Sequence, residues 1–315
     1  MITVAGEALM DVLVDSSGAL TALPGGAPFN VARTIARLGG NCQFLGKLSD
    51  DAFGDQLRAS LDRAGVTLAV PDTTSAPTTL ALAKLDETGS ADYRFYLDGT
   101  AAASLSLGDV PVGVLESSDT LALGGLGIVI EPMASSLLEL VAQARPQLTV
   151  VLDPNCRPAA IGDLTAYRES VRAFLRRVDI IKVSVDDLKL LCPGVGPWDG
   201  ARSLLAAGPS AVLVTDGPAP VCVLTAQAER PVPVPEVDVV DTIGAGDAFV
   251  AAFVAWWPGH SLNRKDVTDI DALEEATAAA VQVAAAACTV RGADLPESLE
   301  WIAGGTAAAM GHSRG

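Results

Sequence analysis

Asp241-Thr242-Ile243-Gly244-Ala245-Gly246-Asp247 stands directly before an apolar run, residues 248–257, of helical length. Gly244, Ala245 and Gly246 bring nearly bare amides to the start of that helix. Free N–H groups and the positive end of the helix dipole attract an anion to such a start. Asp247 places a carboxylate inside that anion site. An Asp there could cap the helix. A base set beside a phosphoryl group in transfer accounts better for a carboxylate and an anion site together. A carboxylate in hydrogen-bond reach takes the proton of an attacking hydroxyl, and preorganised donors meet the charge on the group being moved.

Other chemistries have little to work with. The chain has two histidines, His260 in a Pro-Gly-His-Ser stretch and His312 near the end. With histidine nearly absent and placed so, a Ser-His-Asp triad, a Cys-His dyad or an HExxH zinc site is close to excluded. Acid–base work falls to carboxylates and to a few lysines. The five cysteines, Cys42, Cys156, Cys192, Cys222 and Cys288, are widely spaced, odd in number and without a CxxC pair. They read as buried thiols of a reducing compartment.

With 38 acidic and 21 basic residues the formal net charge is −17, which argues against nucleic acid and anionic membrane as partners. ATP remains open to such a chain through local backbone dipoles, a few basic groups and a divalent metal. The N-terminus lacks the basic and long apolar stretches of a signal peptide. Residues 276–290 contain Gln282 and fall short of the ~18 residues a membrane span needs. A cytoplasmic protein is expected.

The elements that must position Asp247 follow an α/β rhythm. Residues 2–5 read as a strand, and 7–15 as an exposed strand. The turn signal Pro24-Gly25-Gly26-Ala27-Pro28 precedes a helix over 29–38. A strand follows at 42–45 and a helix at 51–64, with acidic residues early and Arg63 late, as the dipole prefers. Residues 78–85 and 93–97 flank the polar turn 86–90 and predict two antiparallel strands in a separate small sheet. Strands at 120–123, 149–152, 179–183 and 211–214 then alternate with helices at 132–144, 165–176 and 198–206, and a hairpin follows at 221–224 and 231–234. Residues 276–290 read as a buried alanine-rich helix. This order predicts a three-layer α/β/α fold, a mostly parallel central sheet with helices on both faces, plus a small β-sheet. Ligands in such sheets bind beyond the carboxyl ends of the strands, where Asp153, Asn155, Ser184 and Thr215 are expected. Residues 1–303 are read as one domain and 304–315 as a frayed tail.

Residues 241–253 resemble the C-terminal signature of the PfkB, or ribokinase-like, family of carbohydrate kinases. Gly25-Gly26-Ala27-Pro28-Phe29-Asn30 resembles its N-terminal signature. Asp153-Pro154-Asn155-Cys156-Arg157-Pro158 is similar to a segment common in its fructokinase and ketodeoxygluconate kinase branches. The matched elements run in family order over residues 2–295. The resemblance implies a small sheet, strands from about 7–15 and 78–97, acting as a lid over a sugar, and transfer of the ATP γ-phosphoryl group to a sugar hydroxyl. Asp247 then matches the general base, and the amides of Gly244, Ala245 and Gly246 match the anion hole. Asp11, Gly25, Gly26 and Asn30 match sugar-contacting positions. Their simpler readings are an exposed strand residue, a turn before a helix and a helix cap. Ser184-Val185-Asp186-Asp187 stands where the family has Asn-x-x-Glu, which organises magnesium and phosphate. Ser184 and Asp187 are both shorter, so a water-mediated contact to Mg²⁺ is expected. Thr215-Asp216-Gly217 resembles the family's nucleotide-binding Thr-x-Gly, though a strand-to-turn signal explains Thr215 and Gly217 almost as well. Arg157 could face phosphate or substrate, or form a surface ion pair. Asp241 and the loop 284–292 could hold a monovalent cation, K⁺ in some members, through backbone carbonyls. Lid sheets in this family often pair, so a homodimer through the lid is open.

For the substrate, ketodeoxygluconate kinases tend to carry an arginine near Tyr96-Leu97-Asp98-Gly99; here Leu97 and Asp98 stand instead. A carboxylate at 98 would repel an acid sugar and accept from a neutral one. A fructokinase-like enzyme is expected, with ketodeoxygluconate, ribose or a nucleoside as alternatives. From other classes there remain a catalytically inactive sugar-binding regulator and a dinucleotide-dependent oxidoreductase. Gly125-Leu126-Gly127 lacks the third glycine of a dinucleotide fingerprint, and Gly46-Lys47-Leu48 lacks the spacing of a P-loop.

Overall fold

The computed structural model describes residues 1–15, 17–85 and 91–299. The turn expected at 86–90 and the tail 304–315 lie outside the described residues. The first strand, β1 (Ile2–Ala5), leads into β2 (Leu9–Val14), β3 (Leu20–Gly25) and the helix α1 (Ala27–Arg37). Then come β4 (Cys42–Leu45), α2 (Ala52–Ala64), β5 (Thr67–Leu68), β6 (Leu80–Leu85) and β7 (Ala91–Tyr96). The alternating part runs β8 (Thr120–Gly124), α3 (Met133–Ala142), β9 (Thr149–Asp153), α4 (Leu164–Leu175), β10 (Ile180–Ser184), α5 (Val185–Leu191), α6 (Pro197–Ala206) and β11 (Ala211–Asp216). It closes with β12 (Ala219–Thr225), β13 (Glu229–Val232), α7 (Ala245–Gly259) and α8 (Ile270–Ala287).

These form a 9-stranded sheet, order β13-β12-β11-β10-β9-β8-β1-β4-β5, and a 4-stranded sheet, order β3-β2-β6-β7. In the large sheet only the pairings of β12 are antiparallel. Its central strands are apolar on both faces, as a sheet covered by helices requires. Val4, Ala122 and Val151 face one core with α1, α2, α7 and α8, while Ala5, Leu121, Leu123 and Leu152 face the other with α3 to α6. Among the described residues no helix is long and apolar enough to cross a membrane.

The strand at 7–15 departs from its expectation. Glu7, Leu9 and Met10 are buried, not exposed, because β2 leaves the main body between α2 and the turn after β8. Its partner β3 was not expected, and Gly25 belongs to that strand rather than to a turn. Leu20 and Leu23 on β3 are both exposed, so no apolar alternation marks it. The helix α7 starts three residues earlier than the apolar run, with Gly244 as its N-cap and Asp247 in its first turn.

Candidate active site

From β1 the large sheet grows one way through β4 and β5 and then the other way through β8 to β10, all in parallel, and beyond the carboxyl ends of strands at such a switch point a crevice opens. Val4, Gly124, Gly125, Asp153 and Asp247 line it, and at its base it narrows to a cavity of about 20 Å³, room for one water.

The start of α7 is fixed by close approach. Gly244 has φ 78, and a Cβ there would stand 2.6 Å from Ala293, so the backbone turns in a left-handed conformation that only glycine takes at low cost. Asp247 is buried. Its Oδ2 accepts from Asn30 Nδ2 at 2.9 Å and its Oδ1 from Asn155 Nδ2 at 3.2 Å. Both donors come from other elements, so Asp247 is not spent on capping its own helix. Burial pushes its carboxyl up to about 6; the Asn30 hydrogen bond opposes this, Asp153 adds to it, and Arg157 and Lys182 oppose it. Asn30, on the first turn of α1 behind Gly26, keeps its own Oδ1 buried and without a partner.

Asn155 holds φ 42, and its amide donates to Asp153 Oδ1 at 3.0 Å. Asp153 Oδ2 is paired with Lys182 Nζ at 2.9 Å, both side chains nearly fully buried. Lys182 was not singled out in the sequence, since it reads there as a polar residue inside a buried strand. A Cβ on Gly246 would stand 3.2 Å from its Nζ. The ammonium therefore lies against the amide cradle at the head of α7. Burial works against its charge, but Asp153, Asp187 and Asp247 outweigh burial and keep Lys182 protonated.

Asp187 has a structural task. Its Oδ2 accepts from the Ser184 amide at 2.8 Å and hydroxyl at 2.7 Å, and Ser184 Oγ accepts from the Asp187 amide at 3.0 Å, a capping box on α5. Asp187 Oδ1 accepts from the Cys156 amide at 2.9 Å and so anchors the loop after β9. Thr215 stands beside Ser184 in register, and Gly217 with φ 52 turns the chain into β12.

The small sheet contributes Asp11. Its carboxyl lies over Gly25, where a Cβ would stand 2.0 Å from Oδ2. Burial pushes Asp11 up to about 6, and the Arg157 charge opposes this. Burial also raises the phenol of Tyr93 on β7, with Asp11 adding to the rise and Arg157 opposing it. The Arg157 charge is thus felt at Asp11, Tyr93 and Asp247 alike, and Tyr93 is a residue that the sequence did not suggest. Asp98 does not join them: it is exposed in the turn after β7, and among the described residues no contact links it to Asp11, Arg157 or Asp247. It therefore lends no support to a neutral sugar.

Asp241 ties two loops together. Its Oδ1 accepts from the Ile243 amide at 3.0 Å and its Oδ2 from the Gly292 amide at 2.9 Å. Partial burial works against its charge, but the amides of Gly292, Ile243 and Thr242 hold it below the usual carboxylate range. The Cys288 carbonyl accepts from the amides of both Val240 and Asp241.

The pfkB family carbohydrate kinase model matches residues 1–300. The chain is 32% identical over 300 residues to probable fructokinase-5 of Arabidopsis thaliana, covering 91% of each. Fructokinase from Xylella fastidiosa, solved with bound ATP, superposes with a TM-score of 0.82 at 27% identity and 93% coverage of both chains. A fructokinase double mutant from Vibrio cholerae O395, in fructose, ADP and potassium ion bound form, gives 0.80 at 27% identity, again covering 93% of each. The chain belongs to the pfkB family of carbohydrate kinases and is a phosphotransferase with an alcohol acceptor.

Proposed function

We propose that this pfkB family member is an ATP-dependent fructokinase and that Asp247 is its general base. The observation that carries the reading is the buried Asp247 carboxylate, held from two sides by Asn30 and Asn155 at the mouth of an amide cradle. In the reaction a hydroxymethyl O–H of the sugar gives its proton to Asp247, its oxygen forms the new bond to the γ-phosphorus of ATP, and the bond to the β,γ-bridging oxygen breaks with ADP as leaving group. The amides of Gly244, Ala245 and Gly246 receive the charge on the phosphoryl oxygens, with Lys182 behind them. Asp11, the free Oδ1 of Asn30, and Gly25 and Gly26 receive sugar hydroxyls, and Arg157 stands over the transfer path. Ser184, Asp187, Thr215 and Gly217 border the nucleotide.

Mg²⁺ would be carried on the ATP phosphates, where it would neutralise charge. Asp187, whose oxygens already accept from Cys156 and Ser184, would help hold it through water. Asp241 and the carbonyls near Cys288 offer oxygens to a monovalent cation such as K⁺. Residues 1–303 act as one unit with the small sheet as lid. Exposed Leu20, Leu23 and Tyr96 on that sheet would be covered in a homodimer formed through the lid. A cytoplasmic location fits the five free cysteines.

The test is ADP release with fructose, ketodeoxygluconate, ribose, tagatose phosphate and adenosine as acceptors. The highest kcat/KM belongs to fructose if the reading holds. Preference for another acceptor moves the assignment within the family, and release with none of them points to an inactive sugar-binding regulator.

A further inference from the structure

A second opening lies further along α1, toward its C-terminal end, on the stripe that Asn30 begins and Arg33, Thr34 and Arg37 continue. It is a cavity of about 310 Å³ between α1, α2 and the segment after Gly292, lined among others by Arg33, Thr34, Arg37, Ser60, Arg63 and Asp294. Three arginines converge on it in a chain of net charge −17. Arg37 and Arg63 stand in the last turns of their helices, where basic residues answer the negative helix end. That does not account for Arg33, a turn further inside α1. The Arg33 guanidinium lies 5.6 Å from the Phe29 ring centre, and its Nε is buried without a partner. Among the described residues no carboxylate lies within ion-pair distance of Arg33 or Arg63. The one acid of the lining, Asp294, lies 3.6 Å from Arg37, at the loose end for an ion pair.

We propose that this cavity is a binding site for a phosphate-type oxyanion, free or carried on a small metabolite, and that its occupancy is felt at the Asp247 cradle. Planar guanidinium forks pair with phosphate oxygens two at a time, and the hydroxyls of Thr34 and Ser60 add donors. The volume exceeds that of a bare ion and reaches the lower end of small-molecule pockets, ~300 Å³. The link to the active site is the chain that forms the cavity's third wall. Ala293 abuts Gly244, and the Gly292 amide holds Asp241. An anion competes with Asp294 for Arg37 and repels that carboxylate, so it acts on the segment that braces the head of α7. Coupling between the sites must then be reciprocal.

The experiment first saturates the full-length protein with a non-hydrolysable ATP analogue, whose own binding is measured separately, so that the cradle is filled. Inorganic phosphate, and in a second arm a hexose phosphate, is then titrated calorimetrically at fixed ionic strength, with chloride as the reference salt. One further site is expected, weakened by about tenfold or more in Arg63→Glu. Arg176→Glu, the same charge change on the opposite helix layer, leaves it intact. Tighter binding of the hexose phosphate identifies a metabolite as the source; equal or weaker binding identifies the free ion. Absence of a further site for either probe, or equal binding in Arg63→Glu, overturns the proposal. Phosphate also shifts the affinity for the ATP analogue more in the wild type than in Arg63→Glu, and equal shifts overturn the coupling.

Discussion

Lys182 and Gly246 meet across the floor of the site: the ammonium stands 3.2 Å from where a side chain on Gly246 would begin. The same nitrogen holds Asp153 at 2.9 Å. Two roles are therefore superposed on one lysine, fixing the loop after β9 and placing charge behind the cradle. Lys182→Met leaves Asp153 buried and unpaired, a loss of about 3–5 kcal/mol, and thermal unfolding will show it. Adding Asp153→Asn removes the orphaned charge and restores most of the stability. Turnover of the double variant stays down by ~10²–10³-fold, the usual loss of one transition-state donor. Recovery of turnover together with stability would reduce Lys182 to a loop anchor.

Asp247 must be ionised to act as a base, and burial pushes it up to about 6. The kcat/KM of the wild type therefore rises with pH through about 6 and then levels. Asp247→Asn lowers turnover by ~10²–10⁴-fold while ATP and sugar still bind. Asn30→Ala removes a hydrogen bond that favours the ionised form, so the acid limb moves to higher pH. A limb that stays in place in Asn30→Ala assigns the titration to another group.

The parallel sheet and the glycine turn that opens α7 were legible in the sequence because each rests on local order. Short, mostly apolar runs such as residues 120–123 and 149–152, set between helical patterns, read as buried strands, and Gly244, Ala245, Gly246 and Asp247 are consecutive. What escaped depends on contacts between distant segments. The strand β3 carries exposed leucines because it lies in a lid that leaves the main core, so no periodicity betrays it. The helix α5 spans 7 residues, too short to show a period. Lys182 gains its meaning from Gly246, 64 positions away in the chain, and Tyr93 from Asp11 and Arg157. Asp98 fails for the converse reason. Its place in the chain suggested the pocket, yet the turn after β7 leaves it in solvent.

Gly25 tests the lid without touching the base. Its missing side chain makes room for the Asp11 carboxyl, which a Cβ would meet at 2.0 Å. Gly25→Ala displaces Asp11 and raises the KM for sugar by about tenfold or more. The KM for ATP stays near its wild-type value. Steady-state kinetics in both substrates check this, and a rise confined to ATP would detach Asp11 from the sugar.

Glu7 links the hinge of the lid to the rest of the site, and its titration should be visible in stability. It is buried at the exit of β1, where its Oε2 accepts from the Gly127 amide at 3.0 Å. Burial drives it up to about 7, against backbone hydrogen bonds that include the amides of Gly127, Leu126 and Ala27. A carboxyl raised on folding binds its proton more tightly in the native state. Its contribution is complete below the unfolded value of 4.5 and is lost as pH rises through about 7. Asp11 and Asp247 shift in the same direction, so the pH dependence of the wild type alone does not isolate Glu7. The difference between wild type and Glu7→Gln does, because the other carboxyls cancel. Glutamine also turns an NH₂ toward those amides, which sets a constant offset but no slope. The stability of the wild type relative to Glu7→Gln should fall by about 3 kcal/mol at most between pH 4.5 and 8. Urea unfolding of both proteins across that range measures it, and a difference independent of pH would show that Glu7 titrates as an ordinary surface carboxylate.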